Sequence, residues 1–299
     1  MKRQIHGILL LDKPSGMTSN GALQKVKHLF NAKKAGHTGS LDPIATGMLP
    51  ICFGEATKFS QFLLESNKSY HVTGKLGECT TTGDCEGEVI SQKPIIDVTA
   101  ERIKKLLTQF EGQIEQVPPM YSAIKWQGKP LYELARRGIT IERKPRTITI
   151  YSLQLDQFMG DQFSLIVHCS KGTYVRTLVE DIGQALQCGA HVVGLRRLTV
   201  TPYADATMHS LSELEKLKAE GDTSLLSALL PLETSLQVFP AVQLSAAAAF
   251  YFRMGQPVRV TFPTNSSMVR LLSEDGKFLG VGMIMTDGRV KPHRLVSGF

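Results

Sequence analysis

The stretch GHTGSLDPIATGMLP, residues 36–50, carries one carboxylate, Asp42, in a loop where Gly36, Gly39 and Gly47 permit tight turns and close approach by a ligand. Pro43 pushes Asp42 from the α region toward extended backbone, so its carboxylate is presented from a loop and not laid along a helix. On residue type alone, an Asp in a Ser/Thr/Gly-rich loop suits a turn or a helix cap as well as catalysis. By the same standard His37 would suit a general base, Tyr70 strand packing and Arg176 a helix surface. A second cluster lies at residues 118–146, where Lys125, Lys129, Arg136, Arg137, Arg143, Lys144 and Arg146 face only Glu133 and Glu142 as acids, with Tyr121, Trp126 and Tyr132 between them. Cations interleaved with aromatics can neutralise phosphates and stack on exposed bases; a solvated helix over a packed aromatic is the alternative.

These residues need elements to hold them. GILLLD (7–12) reads as a short buried strand, and after a turn at 14–16 the apolar spacing of Leu23, Val26, Leu29 and Phe30 predicts a helix with Ser19 as its cap. A strand follows over 49–53, a helix over 56–64, an alternating strand over 70–76 and a helix over 100–110. Strands at 147–158 and 163–169 precede a helix over 174–186 that buries Val175, Leu178, Val179, Ile182 and Leu186. Two helical stretches around Gly221 lead to a boundary near Thr234. Beyond it a helix over 246–254 and the runs PVRVTF, SMVRLLS, KFLGVGMIM and RVKPHRL, with turns at Pro263-Thr264-Asn265 and Asp275-Gly276, predict a small β-barrel. Without a regular βαβ period the class is α+β with a largely antiparallel sheet.

Composition sets outer bounds. The 299 residues, 42% hydrophobic and 20% charged, suit one large globular domain and a small one, and a net charge of +7 suits a polyanionic partner. Cys52, Cys79, Cys85, Cys169 and Cys188 are odd in number and lack C-x-x-C pairs, which predicts a reducing, cytoplasmic setting. Cys79, Cys85 and His71 fall short of the four donors of a structural zinc site, so no metal is expected. No apolar run approaches about twenty residues, so no membrane span is expected.

The 36–50 stretch resembles the catalytic-aspartate motif of the TruB family of tRNA pseudouridine synthases. The resemblance extends to GILLLDKPSGMTS (7–19), Lys68-Ser69-Tyr70, SKGTYVRTLVEDIG (170–183) and GLRRLTVTPY (194–203), and the tail GRVKPHRL (288–295) is similar to the end of the family's PUA domain. It implies a pseudouridine-synthase-like α+β catalytic domain with a mixed, largely antiparallel sheet over 1–233, and a PUA-like RNA-binding β-barrel over 234–299. It implies isomerisation of the T-loop uridine at tRNA position 55 with a flipped-out base, by a cytoplasmic monomer without cofactor, metal or membrane. In the implied roles Asp42 is the catalytic carboxylate and Arg176 pairs with it. Tyr70 stacks on the uracil and helps move the C5 proton, Tyr174 contacts the flipped base, and Leu195 forms an apolar wall. His37 fills the gap left in the RNA stack, Lys13 and Pro14 support the cleft, and Lys125, Arg136, Arg137 and Arg143 meet the RNA backbone. A non-catalytic RNA-binding or tRNA-folding module and a guide-RNA-dependent synthase are the competing readings.

Overall fold

A computed structural model describes residues 1–261 and 266–297. The expected turn at Pro263-Thr264-Asn265 lies outside the described residues. The chain begins with β1 (Gly7–Lys13), α1 (Ser19–Leu29), β2 (Ala35–His37), β3 (Thr46–Phe53), α2 (Ser60–Leu64), β4 (Lys68–Leu76), β5 (Glu78–Thr80) and β6 (Val89–Gln92). It continues through α3 (Ala100–Leu107), β7 (Gly112–Gln116), β8 (Lys125–Trp126), β9 (Lys129–Pro130), α4 (Leu131–Ala135), β10 (Arg146–Met159), β11 (Gln162–Cys169), α5 (Val175–Ala185) and β12 (Ala190–Val200). The remainder is α6 (Leu211–Glu220), α7 (Asp222–Ser227), β13 (Ala241–Gln243), α8 (Ala246–Arg253), β14 (Val258–Arg259), β15 (Met268–Leu272), β16 (Phe278–Ile284) and β17 (Arg289–Leu295).

Eight strands form the main sheet, in the order β1-β3-β12-β4-β11-β10-β7 with β2 added to β3. The α+β expectation holds, and the sheet is mixed because β12 runs parallel to β3, pairing Arg196 with Thr46 and Arg197 with Gly47. At that seam the backbones touch: Gly47 has φ +96°, and a Cβ there would fall 2.2 Å from the Arg197 carbonyl oxygen. Gly47→Ala is therefore expected to lower stability by about 2–4 kcal/mol, from left-handed strain and a clash that no rotamer relieves. A fall in the urea midpoint checks this, and an unchanged midpoint would contradict the seam.

Helices pack on this sheet where their apolar stripes dictate. The stripe Val175, Leu178, Val179, Ile182 and Leu186 is buried against Phe163, Leu165 and Val167, each such side chain contributing about 1.5–3 kcal/mol. Ala22, Leu23 and Val26 of α1 pack with Leu9, Leu11, Leu49 and Ile51. Ser19 is not the cap of α1. Thr18 caps it, accepting from the Gly21 N–H, while the Ser19 hydroxyl exchanges hydrogen bonds with both backbone groups of Leu41, at 2.7 and 3.0 Å. Two hydroxyls compete for one role, and the extended backbone at Thr18 decides it. The helix expected over 56–64 begins as a 3₁₀ turn, Gly54–Phe59, and the one over 100–110 ends as one, Thr108–Phe110.

The described residues after 240 include a curled five-stranded sheet, order β13-β15-β16-β17-β14, the half-barrel form of the expected small β unit. Ala249 and Phe252 of α8 pack with Val258, Val269, Leu271 and Val290. This sheet meets the main one through Phe278 and Val281, buried with Ile8, Leu10, Met48 and Cys52.

Candidate active site

Asp42 sits in the connection between β2 and β3, held from several sides. Ser15 Oγ donates to the Ile44 carbonyl at 3.2 Å, and the Gly16 N–H donates to the Pro43 carbonyl at 2.9 Å. Lys13, fully buried, donates through Nζ to the carbonyls of Pro14, Met17 and Pro43 at 2.8, 2.6 and 3.3 Å. Its ammonium thus fastens the turn after β1 to Pro43, the residue beside Asp42. Burial pushes the Lys13 ammonium down to about 8, and the charges of Asp42 and Glu86 work against that shift.

Arg176, on the first turn of α5, meets Asp42 side-on: Nε lies 2.9 Å from Oδ2 and Nη2 3.4 Å from Oδ1. The same guanidinium donates from Nη1 to the Thr82 carbonyl at 2.7 Å and to Asp84 Oδ2 at 3.3 Å, and from Nη2 to the Tyr121 carbonyl at 2.7 Å. One planar fork therefore gathers the Asp42 loop, the 82–84 turn and the 118–146 segment. The Asp42 side chain keeps 38% of its surface exposed while that of Arg176 keeps 7%, so the carboxylate faces the open side of the site. Burial raises the Asp42 carboxyl above the usual carboxylate range, and Arg176 opposes the rise.

Asp84 escaped the sequence reading. Its side chain is 4% exposed. It accepts from Thr82 Oγ1 at 2.5 Å and from the Glu86 N–H at 3.1 Å as well as from Arg176. The available signal was TTTGDCEG, another acid in a Thr/Gly turn, but spacing does not reveal that it converges on Arg176. Glu180, one turn beyond Arg176 on α5, also lies here, its carboxyl packed over Gly83, where an added Cβ would come within 2.8 Å of it. Burial pushes the Glu180 carboxyl up to about 7, with Arg176 opposing and Asp181 and Asp84 reinforcing. A folded value above the unfolded one means stability complete below the unfolded pKa and lost as pH rises toward 7. Glu180→Gln is therefore expected to raise the melting temperature at pH 8, by on the order of 1–3 kcal/mol of stability, and not at pH 4. Thermal melts at the two pH values check it; equal effects at both would be contrary.

The remaining expected residues divide. Tyr70 on β4 and Leu195 on β12 are partly buried and pack against both cores that flank the central strands. Burial raises the Tyr70 phenol, and the Arg197 guanidinium works against that rise. Tyr174 precedes α5, its backbone N–H and carbonyl bound to the Gln116 side chain at 2.7 and 3.1 Å. His37 on β2 has a buried Nδ1 without a hydrogen-bond partner among the described residues. Burial and the Arg197 charge lower its pKa, keeping the ring neutral. His168 stacks at 5.0 Å on Tyr151, and His191 Nδ1 lies 3.3 Å from the Glu78 carbonyl, both packing roles.

In the basic segment, β8 and β9 form a hairpin turned by Gln127 and Gly128, both with positive φ. Lys125, Arg136 and Arg137 are exposed, and Arg136 stands 5.6 Å from the Tyr132 ring centroid. Arg143 differs from them: it donates to the carbonyls of Ile141 and Pro118 and closes the segment on itself.

Three family models match consecutive stretches: the TruB family pseudouridylate synthase N-terminal domain over residues 27–175, the tRNA pseudouridylate synthase B C-terminal domain over 176–237, and the pseudouridine synthase II TruB C-terminal model over 240–296. The chain is 54% identical to the tRNA pseudouridine synthase B of Coxiella burnetii, over 99% of this chain and 96% of that protein. It is 53% identical to that of Stutzerimonas stutzeri, over 99% and 97%. Among solved structures, a chain of a Cbf5-Nop10-Gar1 complex superposes with a TM-score of 0.76 at 25% identity, covering 97% of this chain and 84% of that one. With a loop aspartate clamped by a buried arginine, and likeness of this extent along the whole length, the chain belongs to the TruB family of pseudouridylate synthases.

Proposed function

We propose that the protein isomerises a uridine of tRNA to pseudouridine, the T-loop uridine at position 55, with Asp42 as the catalytic carboxylate. The observation that carries this is the Asp42 carboxylate at 2.9 Å from the buried Arg176, on the open side of its site. The reaction breaks the bond from ribose C1′ to N1, turns the base, joins C1′ to C5 and moves the C5 proton away. A carboxylate can begin it by attacking C1′, adding to C6 or removing a ribose proton, and each route needs the ionised form. Arg176 supplies that: an adjacent fixed cation favours the charged carboxylate and locks its direction. The base must leave the RNA stack to reach Asp42. Tyr70, Tyr174 and Leu195 offer faces to receive it, and His37, flat and neutral, suits the place the uridine vacates. Lys13 supports the loop through Pro43 and takes no part in bond making.

The test is to incubate a T-stem-loop RNA hairpin with the purified chain and map pseudouridine along it. Conversion at the single T-loop position is expected; no conversion, or conversion elsewhere only, would overturn the reading. The same reading takes the protein as a cytoplasmic monomer acting on free tRNA, with chemistry in residues 1–233 and RNA grip shared by 118–146 and 234–299. No helix among the described residues is long and apolar enough to cross a membrane.

The exposed cations of the 118–146 segment suit phosphate contacts, whose energy is salt-dependent. Replacing Arg136 and Arg137 together by alanine is expected to weaken tRNA binding and flatten the slope of log affinity against log salt by roughly 0.7–0.9 per lost contact. The rate at saturating RNA should change far less. A salt titration reads the slope, and an unchanged value would remove both arginines from the RNA surface. Arg143, spent on carbonyls of its own segment, should act through folding of that segment instead.

A further inference from the structure

Arg197 is among the largest fully buried side chains, 1% exposed. Among the described residues its guanidinium meets no carboxylate. Nε donates to the Met48 carbonyl at 2.7 Å and Nη2 to the Gly39 carbonyl at 3.1 Å, so it grips the Asp42 loop on both sides. A buried cation held by carbonyls alone has no counter-ion at rest and is placed to stabilise an anion that forms beside it during function. The side chain facing it that can become one is Tyr70, its register partner between β12 and β4 and the group on which its charge and hydrogen-bonding reach act. The other titratable groups here differ: Asp42 is paired with Arg176, His37 and Lys68 gain no charge balance from a cation, and Cys169 lies beside Lys68, its thiol pushed up to about 11.

We propose that Arg197 is a positioning residue for the closing step of the reaction, orienting the Tyr70 oxygen toward the base and stabilising the phenolate that then takes the C5 proton and returns to the neutral phenol. The inference rests on the isomerase reading above. Before that step the Tyr70 hydroxyl gives its proton to solvent; in it the C5–H bond breaks and the proton passes to the phenolate oxygen, restoring the neutral phenol. The electron pair restores the C5–C6 double bond, the former C6–N1 π pair settles on N1, and N1 takes a proton from solvent. A phenolate in a buried setting needs a fixed cation, and Arg197 is already in place, so no reorganisation accompanies the transfer.

The experiment compares single-turnover rates at saturating hairpin RNA for the full-length protein and its Arg197→Lys, Arg197→Gln and Arg197→Met variants, with uridine protonated or deuterated at C5. The variants should lose about 100-fold in rate, Lys the least, while RNA affinity stays within a few-fold. They should also show a larger C5 isotope effect than wild type and a rate that recovers toward higher pH. A merely structural role would lower the active fraction and leave the isotope effect and pH profile alone, and that outcome overturns the proposal. In wild type, ¹³Cζ-tyrosine NMR, with Tyr70 identified by its loss in Tyr70→Phe, should show this phenol ionising while the protein stays folded. A phenol that stays neutral until unfolding refutes the proposal even if no Arg197 variant folds. Failure of wild type to make any pseudouridine would instead refute the isomerase reading.

Discussion

Asp42→Asn should make no pseudouridine, a loss of at least about four orders of magnitude in single-turnover rate, the scale on which removal of an essential catalytic group acts. Asn keeps the shape and an oxygen for Arg176 but has neither charge nor basicity, so every route open to a carboxylate closes together. RNA binding, spread over other surfaces, should stay within a few-fold. The expected effect on stability runs the other way. Burial raises the folded pKa of Asp42, so its contribution to stability is complete at low pH and lost as pH rises through the folded value. At neutral pH the variant should melt no lower than wild type, and its advantage should vanish in acid. Rate, affinity and melting measured on one preparation separate the terms; turnover by a folded Asp42→Asn protein would exclude Asp42 as the catalyst.

Arg176→Lys should lose at least about 100-fold in rate at saturating RNA and about 2–4 kcal/mol of stability. The guanidinium serves Asp42, Asp84 and the carbonyls of Thr82 and Tyr121 from fixed directions. An ammonium carries the same charge, but its three donors at one point cannot span those partners, and buried carbonyls would be left unpaired. The Asp42 carboxylate would keep part of its electrostatic support and lose its fixed direction, so the loss falls on rate more than on affinity. Single-turnover kinetics and urea denaturation read the two effects, and a wild-type rate would remove Arg176 from the site.

Where the sequence carried a period, the fold was legible in it. The stripe from Val175 to Leu186 and the alternation leading into Gly77 correspond to α5 and β4; the 36–50 motif pointed to the Asp42 loop, and Arg176 came from the resemblance of the separate stretch SKGTYVRTLVEDIG. Elements without a period were missed. GQIEQ forms β7 with Ile114 as its one aliphatic side chain, held by pairing with β10, and three-residue β13 is set by its parallel neighbour β15. Site groups defined by convergence were equally hidden. Asp84 is 92 residues from Arg176, and Arg197 reaches Gly39 across 158. Burial of Lys13 and Arg197 runs against residue type, and only the backbone carbonyls collected around them account for it.

The two-residue parallel seam between β3 and β12 also governs when the protein can become active. Among the described residues it is the one parallel pairing between two strands of the main sheet, and it joins the β1-β2-β3 strands to the β12-β4-β11-β10-β7 strands beside Asp42. Arg196, at this seam, spans 184 residues to its ion-pair partner Asp12. During synthesis the hydrophobic strands β1 and β3 emerge early, yet β12 comes only after residue 190. A ribosome-bound chain therefore carries an exposed β3 edge while residues 54–189 are made, and loop closure over such separations is slow compared with hairpin formation. The site around Asp42 cannot be completed before β12 is made, and the interval before β12 docks is when the nascent chain is most exposed to edge pairing and aggregation.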